Sequence, residues 1–146
     1  MLTYRDYVYA AITDYNAAMT AVVTIPEQVE AERHRREGLR AQKTDGDRVT
    51  GGDTRSDDAI LSSIAKEDYL THQLDAARHT IESMKEAVEQ LDEEEREIFT
   101  RLLIRRGRYA TAELAEEWGV DERTVFRAKD RVLKKLARLL TGEARA

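Results

Sequence analysis

Gly119 stands between two amphipathic runs, and its surroundings restrict the fold more than any other feature of the chain. In TAELAEEWGVDERTVFRAKDRVLKKLARLL (residues 111–140), Leu114, Ala115 and Trp118 share one helical face before the glycine. After it, Val125, Ala128, Val132, Leu136 and Leu139 recur every three or four residues. Thr111 is placed to cap the first helix and Asp121 the second, with Glu122 complementing the second helix dipole. Glycine accepts the left-handed conformation that ends a helix without a Cβ penalty. Two steeply crossing helices need a small residue where they approach, a tight turn, an apolar plug after it and an apolar seat on the second helix. Ala115, Gly119, Val120 and Val125 meet those needs in register. The pattern predicts a helix-turn-helix.

The opposite face of the second helix carries Arg123, Arg127, Arg131 and Lys134, one stripe at i, i+4, i+8 and i+11. Such a stripe suits a helix in a DNA major groove, and the bland alternative is a helical hairpin with a solvated basic face. Charge helps to choose. The formal net charge of the chain is −5, yet residues 101–140 hold eleven Lys/Arg against six Asp/Glu, a surplus of five. Residues 1–100 hold 12 bases against 22 acids, a deficit of ten. A basic C-terminal module is therefore attached to an acidic body, and turn chemistry and charge agree on DNA.

The remainder reads as helical. One Pro, no Cys and 36% charged residues in a chain of 146 argue against a large sheet. Without a disulfide framework, a signal peptide or an apolar run of membrane-spanning length, a soluble cytoplasmic protein with no membrane partner is expected. Leu2 to Val23 places Tyr4, Val8, Ala11, Tyr15, Ala18 and Val22 at helical spacing. The tyrosines Tyr4, Tyr7, Tyr9 and Tyr15 are read as core in preference to a binding patch. Pro26 is expected to end or kink this helix, and a charged helix follows from Glu27 to Gln42. Its cluster Arg33, His34, Arg35 and Arg36 is read as a solvated face before a nucleic-acid contact.

Residues 43–55, KTDGDRVTGGDTR, read as a flexible connector. Their aspartates fail the EF-hand register, since Ser56 stands where a bidentate Glu is needed. Ser56 is expected to cap a helix reaching about Gln90. On it Leu70, Leu74, Ala77, Ile81, Met84, Val88 and Leu91 alternate spacings of four and three, a heptad seam. So long an apolar seam needs a partner, either the N-terminal helix folded back or the same helix of a second chain. A homodimer through the heptad helix is the expected outcome. His72 and His79 flank Asp75 without a third strong ligand, so no metal is expected.

Leu91 to Gly107 reads as one helix, capped by Asp92, with Glu93 to Glu95 at its positive end and Arg105 and Arg106 at its negative end. Ile98, Leu102 and Leu103 should face the helix-turn-helix, and residues 91–140 are expected to fold on their own.

Across residues 91–140 the chain resembles region 4 of the sigma-70 family, the domain that reads the −35 promoter element. The shared features are an L-x-E-x-E-R-E opening at Leu91, E-L-A-E-E-x-G-V from Glu113, and L-K-K-L from Leu133. The preceding helix, the loop ending G-G-D-T-R-S-D and the heptad helix are similar to small phage regulators of the ArpU/RinA type. The resemblance implies base-reading positions at Glu122, Arg123, Phe126 and Arg127. Where promoter-reading members have Arg-Glu and Arg-Gln pairs, this chain has Glu122–Arg123 and Phe126–Arg127, so the −35 consensus does not carry over. Arg123 and Arg127 suit guanines and Phe126 a thymine methyl, while Glu122 suits either a cytosine amine or helix-start electrostatics. Phosphate contacts are assigned to Arg108, Thr111, Thr124, Lys129, Arg131 and Lys134.

The expected fold is all-α: a long helical hairpin or coiled-coil body over residues 1–90, then a three-helix helix-turn-helix domain over 91–146. The expected function is sequence-specific double-stranded DNA binding in transcription regulation by a phage-encoded protein, and no nucleophile–base pair, metal cluster or paired buried carboxylates can be placed in one pocket. No enzyme activity and no cofactor are expected. Two alternatives stand beside it: a phage packaging factor similar to a small terminase subunit, and a helical protein that binds RNA polymerase.

Overall fold

The computed structural model describes residues 1–45 and 53–142, with side chains described outside 43–56. Five α-helices account for most of it: α1 (Tyr4–Asp45), α2 (Asp53–Glu89), α3 (Glu93–Ile98), α4 (Ala110–Trp118) and α5 (Glu122–Thr141). A π-helical segment, Phe99–Ile104, continues α3. Among the described residues there is no strand, and no helix is long and apolar enough to cross a membrane. The chain forms two compact units, one of residues 17–79 and one of residues 1–16 with 80–146.

In the unit of residues 17–79, α1 and α2 run in opposite directions. Ile25 packs with Leu70 and Leu74, flanked by Ala21, Val22 and Val29. Two turns further along α1, Glu32 meets Ser63. Both are buried, at 6% and 1% exposure. Ser63 Oγ lies 2.7 Å from Glu32 Oε2, and Lys66 Nζ lies 3.0 Å from Glu32 Oε1. Glu67 then accepts from Arg33 Nε at 2.8 Å and Arg36 Nη2 at 3.0 Å. The Ser63 hydrogen bond, aided by Lys66, holds the Glu32 carboxyl below its ordinary range. Arg36 and then Arg33 do the same for Glu67. In the cluster read from sequence as a solvated face, Arg33, His34 and Arg35 are exposed, and Arg36 is half-buried against Glu67. Arg35 lies 3.7 Å from Glu32 and His34 lies 3.8 Å from Glu37.

Three sequence expectations change here. Pro26 does not end its helix, because α1 runs unbroken for 42 residues across it. A proline in a helix interior removes one hydrogen bond and crowds the preceding turn, at about 3 kcal/mol. Val22, Ile25 and Val29, on both sides of Pro26, lie on the face that packs against α2, and that burial opposes the break. The connector predicted over 43–55 is shorter at both ends, since α1 extends to Asp45 and α2 begins at Asp53. Residues 46–52 of that connector lie outside the described residues. Ser56 accordingly falls inside α2 and not at its cap.

The other unit has one core, drawn from all its helices. Val8 and Ile12 of α1 join Met84, Ala87 and Leu91, then Ile98, Phe99, Leu102 and Leu103, then Leu114, Val125, Val132 and Leu136. Residues 91–140 therefore lack four of the buried residues of their own core, Val8, Ile12, Met84 and Ala87. Tyr4, Tyr9 and Tyr15 pack partly buried against it, whereas Tyr7 stays exposed. The seam residues Leu70, Leu74 and Ala77 are buried in the first unit and Met84 and Leu91 in the second. Ile81 and Val88, also on the seam, are only half-buried.

The helix expected from Leu91 to Gly107 opens as predicted. Asp92 Oδ1 accepts the Glu95 N–H at 2.8 Å, and Glu95 Oε1 accepts the Asp92 N–H at 2.9 Å, a reciprocal cap. It does not stay α-helical: after Ile98 the backbone widens through Phe99–Ile104, and Arg106 takes a positive φ of 46°. Ile98, Phe99, Leu102 and Leu103 are all buried. That is a broader arc than one α-helical stripe holds, and a wider turn brings it to one side.

Gly119 ends α4 at φ 66°, with its N–H directed to Ala115 and Glu116 carbonyls. Two details of this turn depart from the sequence reading. Val120 is not a buried plug, being 39% exposed, although its N–H closes the turn onto the Ala115 carbonyl at 3.0 Å. Thr111 is not the cap either, since α4 starts one residue earlier with Tyr109 at its N-cap. A Cβ on Gly119 would meet nothing within 4 Å. Gly119→Ala should therefore cost only its backbone strain, about 1–2 kcal/mol. Leu114→Ala, beneath the same turn, should cost about 2–5 kcal/mol. Urea unfolding midpoints test both, and an unchanged midpoint for Gly119→Ala would mean that this residue is not left-handed in solution.

Candidate nucleic-acid interface

Helix α5 is divided lengthwise. Val125, Ala128, Val132, Leu133 and Leu136 are buried. On the far side Arg123, Arg127, Arg131, Lys134 and Arg138 are exposed, within roughly a quarter-turn of one another at 100° per residue. Among the described residues no ion pair holds Arg123, Arg127 or Arg131. Three guanidinium groups on one exposed line, without acids to neutralise them, form a surface that attracts polyanions.

The four sequence-derived base-reading positions, Glu122, Arg123, Phe126 and Arg127, all lie exposed in the first two turns of α5. Asp121 precedes them in an extended N-cap conformation, with no side-chain hydrogen bond to the helix. Phe126, 53% exposed, stands at the edge of this group and borders a crevice with Arg5, Tyr9 and Lys129.

The six phosphate positions do not form one set. Thr111 and Lys129 share a crevice of about 300 Å³ with Tyr9 and Arg106. Arg108 is exposed close by in sequence, its guanidinium 5.5 Å from the centre of the Tyr109 ring. Arg131 is exposed on the α5 line, whereas Lys134 is shared with Asp130 at 3.4 Å. Thr124 is set apart: it borders a crevice with Asp92, Glu93, Glu94 and Glu97, where a phosphate would meet four carboxylates. Lys135, part of the same basic run, turns away to Glu95 at 2.9 Å.

Sequence reasoning missed two contributors. Arg106 stacks over the Tyr9 ring at 4.5 Å and so places a cation in the crevice of Thr111 and Lys129. Asp130 anchors the first turn of α1 to the middle of α5. The Tyr4 hydroxyl donates to Asp130 Oδ1, and Arg5 Nη2 reaches the same oxygen at 2.9 Å. These bonds, Tyr4 first and then Arg5, pull the Asp130 carboxyl down to about 2. The only local hint was a lone acid amid the cations from Arg127 to Lys135.

No family model, curated protein or solved structure matches the chain.

An unconstrained Asp titrates near 3.9, above the folded Asp130 value. The contribution of the anchor is therefore complete above about pH 4 and is lost as pH falls through about 2. Tyr4→Phe should shift the acid-unfolding midpoint, followed by circular dichroism, toward higher pH. An acid midpoint identical to that of the parent would show that the anchor adds nothing.

Proposed function

We propose that the chain is a sequence-specific double-stranded DNA-binding regulator of transcription. In this reading α4 and α5 are a helix-turn-helix of the sigma-70 region 4 kind, carried on a helical-hairpin body as in the phage regulators of the ArpU/RinA type. The observation that carries it is the exposed, unpaired row Arg123, Arg127 and Arg131 on α5. A helix with one buried face and one cationic face, opened by a tight glycine turn, fits the major groove.

Arg123 and Arg127 would each fork to a guanine, Phe126 would pack on a thymine methyl, and Glu122 would accept from a cytosine amine. Arg131, Lys134, Lys129, Thr111 and Arg108 would meet phosphates, with Arg106 added to them. The reading places the protein in the cytoplasm, that of the host if a phage encodes it. A homodimer through the heptad helix, on which Ile81 and Val88 stay half-buried, would carry two modules to paired half-sites.

The test begins by selecting a preferred duplex from a random pool and titrating the full chain by fluorescence anisotropy at several salt concentrations. Arg127→Ala should lose about 1–3 kcal/mol on the selected duplex and relax preference at one base pair. Arg131→Ala should weaken all duplexes alike and lower the salt slope by about one. Absence of salt-dependent affinity for any duplex would overturn the proposal.

A further inference from the structure

Beside the first turns of α1 and the last turns of α5 runs an open crevice of about 700 Å³. Leu2, Tyr4, Tyr7, Ala10, Ala137 and Thr141 line it, and Lys134 and Arg138 border it. Leu2 and Tyr7 are 88% and 44% exposed, so apolar surface stands in water there. The volume falls within the range of small-molecule sites, and mainly apolar walls with a few polar groups are their usual make-up.

The charges around the crevice say what kind of molecule fits. Asp6, its one acid, is committed to the start of α1, accepting from the Thr3 N–H at 2.9 Å and the Thr3 hydroxyl at 3.1 Å. Lys134 is shared with Asp130 and lies 5.6 Å from the Tyr4 ring centre. The Arg138 side chain is exposed, and no hydrogen bond or ion pair holds its guanidinium among the described residues. The N-terminal end of α1 adds a partial positive charge. The walls thus accept an apolar body and the border accepts an anion.

We propose that this crevice binds a small amphipathic carboxylic acid, its carboxylate on Arg138 and its alkyl chain along Tyr7, Ala10 and Ala137. A consequence follows that rests on the DNA-binding reading. Arg138 and Lys134 belong to the same exposed row as Arg123 and Arg127. A bound acid neutralises the end of that row and weakens its hold on DNA, which makes the crevice an effector site.

The probes are octanoate and its neutral counterpart 1-octanol, titrated into the ¹⁵N-labelled full chain below the concentration at which octanoate forms micelles. Octanoate should give saturable shifts at Ala10, Ala137 and Thr141, with a dissociation constant on the order of a millimolar for so small a ligand. Octanol should bind at least five-fold more weakly, and Arg138→Gln should lose octanoate by a similar factor. Ala10→Phe, at an exposed helical position, should block the crevice while leaving the circular dichroism spectrum unchanged. Shifts that do not saturate, or equal affinity for octanol and octanoate, would overturn the proposal. So would self-association abolished by Leu2→Ser, which would assign the crevice to a second copy. DNA affinity is measured separately with and without octanoate, and the parent should weaken at least three-fold while Ala10→Phe does not. Saturable octanoate binding with unchanged DNA affinity would refute the effector role alone, and failure of the parent to bind any DNA would refute the regulator reading while the acid site stood.

Discussion

A helix of 37 residues with an apolar seam cannot stand in water by itself, and most of the architecture answers that constraint. Leu70, Leu74, Ala77 and Met84 are buried along α2, and Leu91 just beyond its end. Each such side chain contributes about 1.5–3 kcal/mol when removed from water. The matching face is provided by α1, through Ile25 in one unit and Val8 and Ile12 in the other. This demand explains why α1 remains helical across Pro26. A break there would cost more buried surface than the proline's lost hydrogen bond.

The start of α1 has a second role, since it belongs to the unit that contains α5. Val8 and Ile12 are core residues of that unit, and Tyr4 and Arg5 hold Asp130. The acid on α5 is thereby answered by residues from α1, and the unpaired arginines of α5 keep their charge facing outward. Core packing and surface electrostatics are coupled through the first turns of α1.

Local patterns were legible in the sequence wherever a single element decides its own conformation. The buried face of α5 follows its three-and-four spacing, the left-handed Gly119 follows its position after Trp118, and the Asp92–Glu95 cap follows its i, i+3 chemistry. What was not legible depends on partners far along the chain. Tyr4 and Asp130 are separated by 126 residues, and Glu32 and Ser63 by 31. The widened turn at Phe99–Ile104 likewise reflects a core that draws in four neighbouring apolar residues at once. The exposed arginines of α5 were foreseen from spacing alone, whereas the acidic surroundings of Thr124 required knowing that α3 lies beside it.

The face of α2 that buries Leu70 and Leu74 carries Glu67 about one turn and Ser63 two turns before Leu70, and α1 answers with Glu32, Arg33 and Arg36. Apolar heptads alone are nearly indifferent to sliding by seven residues, because one leucine is as good a neighbour as another. The polar end is not. Displacing α1 by one heptad would set the buried Glu32 carboxylate against Leu70 and strip it of both Ser63 and Lys66. Burying an uncompensated charge is far more costly than misplacing a methyl group. The short ionic stretch thus acts as a key that admits a single alignment of two otherwise repetitive helices.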